Sequence, residues 1–450
     1  MSAYSFVLQN IFLPCHNLVR GRHYVGRRRF LEESQWWSPD ELEAFQWREA
    51  TALLRHAWKC VPYYRKKFEQ AGLRPQDIRG WADWRRLPTL TREEINANRK
   101  ELCAEGYADK LSPHATGGSS GVPTRFYITE LSYDWRTAAT QRAYGWTGCT
   151  LGERAVYLWG APIGELRLLQ ALKTKAYEFV QRQLIFNTFS QDDQLWVRIH
   201  ERTLRYKPRL IVGYVSSLLQ FARFLKQTGR ELPGVKAVIA AAEPVYTAAR
   251  EEIEAGLHAP LFNTYGAREF KSIAAECELR DGLHINSENI LLETSDPRPE
   301  AVSELLITDL HNYGMPFIRY RIGDLGALDP SPCACGRGLP RIRSIEGRVL
   351  DMLRTADGRI IPGEFFPHLL KDIPEVRAYQ VEQKSLDHII VSAVLFAPLS
   401  DKSAALLDRE IKKVCGPELK IELKPVAQIP RLASGKQRVT VGLDHHAGKN

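Results

Sequence analysis

No run of about eighteen apolar residues occurs in the 450-residue chain, so nothing in it reads as a membrane-spanning helix. Its opening, MSAYSFVLQNIFLPCHNLVR, lacks the basic start and small-residue cleavage site of a secretory signal, which makes the cytoplasm the default expectation. Eight cysteines, most of them scattered, do not read as a disulfide framework. Internal repeats and low-complexity tracts are absent. No nucleic-acid-binding motif accompanies the basic residues, so nucleic acid is not an expected partner. What is there is ordinary for a globular protein: 44% hydrophobic and 26% charged residues exclude a disordered chain. The length allows two or three domains.

The formal charge of +9 is uneven, because residues 1 to 100 hold 18 Lys and Arg against 11 Asp and Glu. Six tryptophans share that stretch: Trp36, Trp37, Trp47, Trp58, Trp81 and Trp84. This front reads as a solvated basic surface over an aromatic core. A weaker alternative lays Arg20 to Arg29 on a lipid surface.

Ser38-Pro39-Asp40-Glu41 carries the cap, the proline and the returning glutamate that open a helix, and Val61-Pro62 ends it. Thr91-Arg92-Glu93-Glu94 opens another in the same way. Residues 1 to about 105 are therefore expected to be mainly helical. Beyond them, AVYLWG, RLIVG, VKAVIAA and PLFNTYG alternate with helical stretches, which implies a largely parallel sheet covered on both faces. Ligands of such sheets collect beyond the carboxyl ends of strands, where AAEPV and NTYGAREF fall. Asp357-Gly358 between apolar runs predicts a two-residue hairpin. A boundary near Arg348 leaves 1–347 as a large α/β domain and 348–450 as a small α+β domain.

One stretch, TGGSSGVP, concentrates small residues at Thr116, Gly117, Gly118, Ser119, Ser120 and Gly121. It is not a Walker loop, since no Lys-Ser or Lys-Thr follows Gly121. Its backbone N–H groups and hydroxyls suit a polyphosphate, although a plain turn fits the same residues. TGGSSGVP, AAEPV, NTYGAREF, ITDL, YRIGDLG, EGR and PRLASGKQR, in that order, resemble the motifs of the adenylate-forming, acyl-CoA synthetase superfamily. The front-end texture, WREATALLRHAWKCVPYYRKKFEQAG followed by LPTLTREEINAN, narrows this. It is similar to phenylacetate-CoA ligase and its CapK-like relatives of capsular polysaccharide biosynthesis.

The resemblance implies a large N-terminal domain with mixed, largely parallel sheets, and a small mobile C-terminal domain. It also implies ATP-dependent formation of an acyl-AMP and then a thioester with CoA, on an aromatic or other small organic acid. In this reading Thr116, Ser119, Ser120 and Gly121, with Gly117 and Gly118, hold the β- and γ-phosphates. Tyr265, followed by Gly266, stacks on adenine; Glu243 lies along the adenine pocket; Asp324 receives the ribose hydroxyls; Arg348 sits beside that sugar and the hinge. Glu269 binds Mg²⁺, for which a hard carboxylate oxygen is suited. Lys436, in PRLASGKQRV, matches the lysine that stabilises charge during adenylation. Plainer readings stand beside these: Tyr265 as a core aromatic, Glu269 in the first turn of a helix, and Asp324 paired with Arg319 or Arg321.

Cys277, His284, Cys333 and Cys335 form a Cys-x6-His and, after 48 further residues, a Cys-x-Cys-Gly. Four N/S donors are what a closed tetrahedral zinc site requires. Metal-binding relatives carry such a set after the Tyr-Gly motif, so the resemblance implies a structural Zn²⁺.

The match has three departures. Arg125 stands where a lysine is common, Arg268 where a Thr or Ser precedes the magnesium glutamate, and Leu350 where an aspartate marks the hinge. Tyr133, Trp135, Trp159, Tyr214 and Ala241 are candidates for the acyl pocket, and each reads equally as core. Transfer to an amine or a carrier-protein thiol, and a catalytically silent zinc-stabilised scaffold, are the competing functions. A homodimer is left open.

Overall fold

A computed structural model describes residues 2–443 except 117–123, 160–167, 189–193, 297, 299, 347–352, 356, 359, 362–364, 371–372 and 430–438. The chain divides into two units. Met1–Ala115, Thr124–Leu151 and Phe262–Gly347 form one; Thr116–Pro123, Gly152–Leu261 and Arg348–Asn450 form the other.

In the first unit the expected capping boxes form. The Ser38 side chain accepts from the Glu41 N–H, while the Glu41 carboxylate accepts from the Ser38 N–H at 2.8 Å, and the helix runs Pro39–Cys60. Thr91 and Glu94 do the same for Arg92–Ala97. With the helices Pro62–Gln70 and Trp81–Trp84 they place Leu53, Leu54, Tyr64, Phe68 and Trp84 in a core completed by Phe270, Phe317 and Tyr320. Each such side chain contributes about 2–3 kcal/mol of apolar burial. The sheet against this core is antiparallel, in the spatial order Ile290–Thr294, Ser303–Asp309, Tyr320–Asp329, Arg341–Glu346, Leu283–Ile285, Lys271–Glu276 and Leu261–Ala267.

Parallel pairing belongs to the second unit, where the spatial order is Gln183–Asn187, Ala155–Trp159, Leu210–Tyr214 and Ala237–Ala241. Leu210–Tyr214 and Ala237–Ala241 are buried at every position, as a strand covered on both faces must be. The run PLFNTYG was grouped with these strands by its apolar character. As the strand Leu261–Ala267 it pairs antiparallel with Lys271–Glu276, because only four residues, Ala267 to Phe270, separate Gly266 from Lys271 and leave no room for a crossover helix.

From residue 353 onward the second unit adds a sheet ordered Lys420–Pro425, His388–Leu395, Val376–Ser385 and Thr440–Val441. Its core, with Phe365, Phe366, Tyr379, Val391 and Ile411, also takes in Tyr214. The turn at Asp357-Gly358 is longer than the dipeptide predicts. Arg354 pairs with Ile360, so five residues connect the strands. The Thr355 hydroxyl donates to the Asp357 carboxylate inside that turn, and Gly358 takes a φ of +82°. Among the described residues no helix is long and apolar enough to cross a membrane.

Candidate active site and metal centre

Within the first unit, the strands Leu261–Ala267 and Lys271–Glu276 make a tight hairpin whose turn is Arg268-Glu269-Phe270. A Cβ on Gly266 would lie 2.3 Å from the Lys271 carbonyl oxygen, so only glycine allows the arms this close. Phe270 is fully buried against Phe317 and Tyr320, and it anchors the turn. Lys271 closes it at a φ of +59°, a conformation that costs a non-glycine residue about 1 kcal/mol. Glu269 is thereby held in a buried position on a turn, not on a helix.

The neighbours of Glu269 are two residues that sequence reasoning passed over. Tyr320 donates its hydroxyl to Glu269 Oε1 at 3.3 Å, and Arg92 Nη2 stands 3.9 Å from the same oxygen. Arg92 Nε donates to the Tyr320 hydroxyl at 3.4 Å. Burial opposes the charge on Arg92, but Tyr320, Glu269 and Asp324 outweigh it and hold the guanidinium above its ordinary pKa. The signal for Arg92 was present in TREE, where the capping pattern accounted for the other residues and left the arginine without a role. Tyr320 lay inside IRYRIGDLG, which drew attention only for its aspartate.

Asp324, on Tyr320–Asp329, accepts from the Tyr265 hydroxyl at 2.8 Å. The two arginines offered as its structural partners go elsewhere. Arg319 pairs with Glu293 at 3.3 Å and Arg321 with Glu304 at 2.6 Å. Tyr265, half-buried, packs its ring on the core and turns its hydroxyl toward a carboxylate. Arg92, Glu269 and Tyr320 therefore form one contact group and Tyr265 with Asp324 a second, near enough for the Asp324 charge to act on Arg92. Glu269 Oε1 is committed to Tyr320 and Arg92, which leaves Oε2 as the oxygen for a hard divalent cation.

Thr116 is buried and follows the strand Ser112–Ala115, which pairs antiparallel with Arg125–Ile128. The glycine-rich stretch thus joins two paired strands. Gly117, Gly118, Ser119, Ser120 and Gly121 lie outside the described residues, as do Arg348, Leu350 and Lys436.

In the second unit, Glu243 follows Ala242, whose φ is +68°. Its carboxylate accepts from the Ser216 N–H at 2.6 Å and the Ser216 hydroxyl at 2.9 Å, where the helix Val215–Thr228 begins. Burial nevertheless pushes its pKa up to about 7. Among the acyl-pocket candidates, Trp135 stacks on His311 at 3.9 Å with Arg27 4.9 Å from its ring centre, and it is core. Tyr133 is exposed and holds Lys271 Nζ at 3.7 Å from its ring centre. Trp159 and Tyr214 stack at 4.5 Å.

The four metal candidates converge in the first unit. The Sγ atoms of Cys277, Cys333 and Cys335 and a nitrogen of His284 lie within 4.8 Å of one another. Cys277 ends the hairpin arm, His284 lies on Leu283–Ile285, and the two remaining cysteines lie on the connection before Arg341–Glu346. Cys335 Sγ is 3.3 Å from His284 Nε2, and Cys277 Sγ is 3.9 Å from Cys333 Sγ. His284 Nδ1 is 3.0 Å from the Leu339 carbonyl, so it donates there and leaves Nε2 as the ligating atom. Burial lowers the His284 pKa to about 4, which keeps the ring neutral, and raises the Cys277 thiol to about 12. Burial also opposes the Cys335 thiolate, but hydrogen bonds from Arg337 prevail and lower its pKa. Donor types, count and convergence all fit zinc.

Comparison with known proteins adds the family. The chain is 27% identical over 442 residues to a phenylacetate-coenzyme A ligase of Thermus thermophilus, covering 90% of this chain and 97% of that one. The Escherichia coli phenylacetate-coenzyme A ligase is 27% identical over 393 residues, 84% of this chain and 87% of that one. Residues 353–442 match the CapK C-terminal domain family. Along most of its length the chain is thus similar to phenylacetate-CoA ligases and to CapK. Protein CapK of Staphylococcus aureus is 23% identical over 365 residues, 80% of each chain.

A solved structure of 2-hydroxyisobutyryl-CoA ligase, in complex with 2-HIB-AMP and CoA in the thioesterification state, shares the fold. The TM-score is 0.61 at 20% identity, covering 91% of each chain. The family assignment agrees with the mixed α/β architecture described above. In this chain the tyrosine and aspartate of the Tyr-Gly and Gly-Asp motifs are hydrogen-bonded partners, a relation that motif order alone does not reveal.

Proposed function

We propose that this protein activates a carboxylic acid with ATP and passes the acyl group to coenzyme A. The observation that carries the reading is the Tyr265–Asp324 hydrogen bond beside the Glu269–Arg92 pair in a chain that aligns along 84–91% of its length with four phenylacetate-coenzyme A ligases. In the first step a carboxylate oxygen attacks the α-phosphorus and the bond to pyrophosphate breaks. Both reactants are negative, so the protein must neutralise charge and hold them in line.

Each residue has a part. The Asp324–Tyr265 hydrogen bond fixes the phenol, so its ring offers a rigid face to adenine, and the carboxylate lies where ribose hydroxyls can donate to it. Arg92 and Tyr320 fix Glu269, and Mg²⁺ bound at that carboxylate supplies neutralisation of the phosphates. Thr116 and the Gly117–Gly121 stretch cradle the β- and γ-phosphates. Lys436, with Arg348 beside the hinge, belongs to the small domain 348–450, whose movement against 1–347 exchanges the adenylating group for the thiol. The coenzyme A sulfur then attacks the acyl carbon, and AMP leaves.

The four-donor cluster binds zinc and takes no part in a step. It ties the end of the Glu269 hairpin to the segment that follows the Asp324 strand. The substrate is an aromatic or other small organic acid, and ATP and coenzyme A place the reaction in the cytoplasm.

Acid-dependent pyrophosphate exchange across a panel of carboxylic acids tests the first step, and coenzyme A consumption tests the second. Exchange without coenzyme A consumption would move the acceptor to an amine or a carrier-protein thiol. ATP binding with no exchange on any acid would leave a silent scaffold. Lys436→Ala should abolish exchange far more than transfer from preformed acyl-AMP; equal loss of both would remove Lys436 from its role.

A further inference from the structure

The first helical run of the chain is amphipathic the wrong way round for a helix whose outer side meets only water. Ala3–Arg20 is continuous: an α-helix to Val7, a π-helical turn over Leu8–Phe12, and an α-helix from Leu13. One side is docked on the first unit through Ser5, Leu8, Leu13 and Asn17, and Gln9 donates to the Leu151 carbonyl at 2.7 Å. The opposite side should be polar. It instead exposes Phe6, Val7, Ile11, Phe12, Leu18 and Val19, the last two 85% and 84% exposed.

These six residues come as three adjacent pairs, and the π-helical turn is what aligns them. The first two pairs are five residues apart, the hydrogen-bond span of a π-helix and a little over one of its turns; the second and third are seven apart, two turns of an α-helix. Without the wider turn, the Phe6 pair would rotate away from the others. The result is a ridge of apolar side chains along one side of a docked helix.

Charge tells what meets this ridge. Residues 1–31 contain five arginines and no Asp or Glu. Arg22 is neutralised by Asp134 and Arg28 by Glu32, while Arg20, on the same helix, and Arg29 are exposed. We propose that the Ala3–Arg20 helix docks the protein on an anionic lipid bilayer, with the three pairs entering the acyl boundary and Arg20 and Arg29 meeting acidic headgroups. A ridge needs no complementary groove in a fluid bilayer. A second copy is the other occupant an apolar ridge could take, and the test below separates the two.

The test is co-sedimentation of the full chain with vesicles of phosphatidylcholine alone and of phosphatidylcholine with phosphatidylglycerol. The protein should bind the anionic vesicles, and added salt should weaken binding. Arg20→Gln with Arg29→Gln should weaken it by about thirtyfold. Leu18→Ser with Val19→Ser should release it as well. Both double variants replace exposed side chains and should keep the melting temperature of the parent, which separates docking from folding. Equal binding to both kinds of vesicle, or binding to neither, would overturn the proposal. So would a dimer that is lost in the Leu18→Ser and Val19→Ser variant, which would assign the ridge to a second copy.

Discussion

Removing the metal from the Cys277, His284, Cys333 and Cys335 cluster should destabilise the first unit by several kilocalories per mole. His284 sits on a strand and Cys277 directly follows its partner strand, so backbone pairing holds both whether or not a metal is bound. The connection that carries Cys333 and Cys335 has no strand pairing of its own, so a bound zinc would tie it to them. In chain-entropy terms, a link from His284 to Cys333 closes a segment of 48 residues, and a cross-link of that span contributes about 4 kcal/mol at 25 °C. For a body of roughly two hundred residues this corresponds to about 10 °C in melting temperature. The assay is metal analysis of purified protein, followed by thermal unfolding under reducing conditions with and without a chelator. One zinc per chain and a fall of that size are expected. Cys333→Ser should reproduce the fall, and a chelator should then add little. Substoichiometric zinc, or a melting temperature that neither treatment moves by more than a degree or two, would refute the reasoning. A cluster without a metal would instead lose only about 1 kcal/mol on Cys333→Ala, whatever the chelator.

Three further outcomes follow from the geometry. Tyr265→Phe removes the 2.8 Å hydrogen bond to Asp324 and keeps the ring, so it should raise the KM for ATP by about fivefold and change kcat less; an unchanged KM would detach this pair from the nucleotide. His311 lies buried against Trp135, and burial lowers its pKa to about 4 from an ordinary value near 6.5. The unfolded chain therefore binds the proton first as pH falls, and stability should be full above about 6.5 and decline toward pH 4, by up to about 3 kcal/mol. His311→Gln should flatten that decline in urea titrations. Arg142→Met leaves Glu288, 2.9 Å from Arg142 Nη2 and fully buried, without its counter-charge, and should cost about 3–5 kcal/mol in the same measurement.

Local pattern was legible wherever one residue constrains its near neighbours. Ser38 with Glu41 and Thr91 with Glu94 open their helices as read, because a capping box is complete within four residues. The strands Ala155–Trp159, Leu210–Tyr214 and Ala237–Ala241 stand where apolar runs foretold them. Direction was less legible. An apolar run such as Leu261–Ala267 does not announce the antiparallel neighbour that follows it, and the length of the following connection decides that pairing. The hairpin at Asp357-Gly358 shows the same limit at smaller scale, since a side-chain hydrogen bond from Thr355 lengthened a turn that the dipeptide alone makes short.

The order of motifs along the chain determined the family, because each short signature carries little information and their shared order carries much. The four zinc-type donors were likewise legible as residue types. Tertiary structure decided the relations among them. It set Tyr265 against Asp324, supplied Glu269 with Arg92 and Tyr320, drew Glu243 to the start of a helix, and turned three pairs of apolar residues to one side of a docked helix. Those contacts join residues tens to hundreds of positions apart. They depend on sheet register, on a close approach at Gly266 and on a π-helical turn, none of which a local pattern encodes.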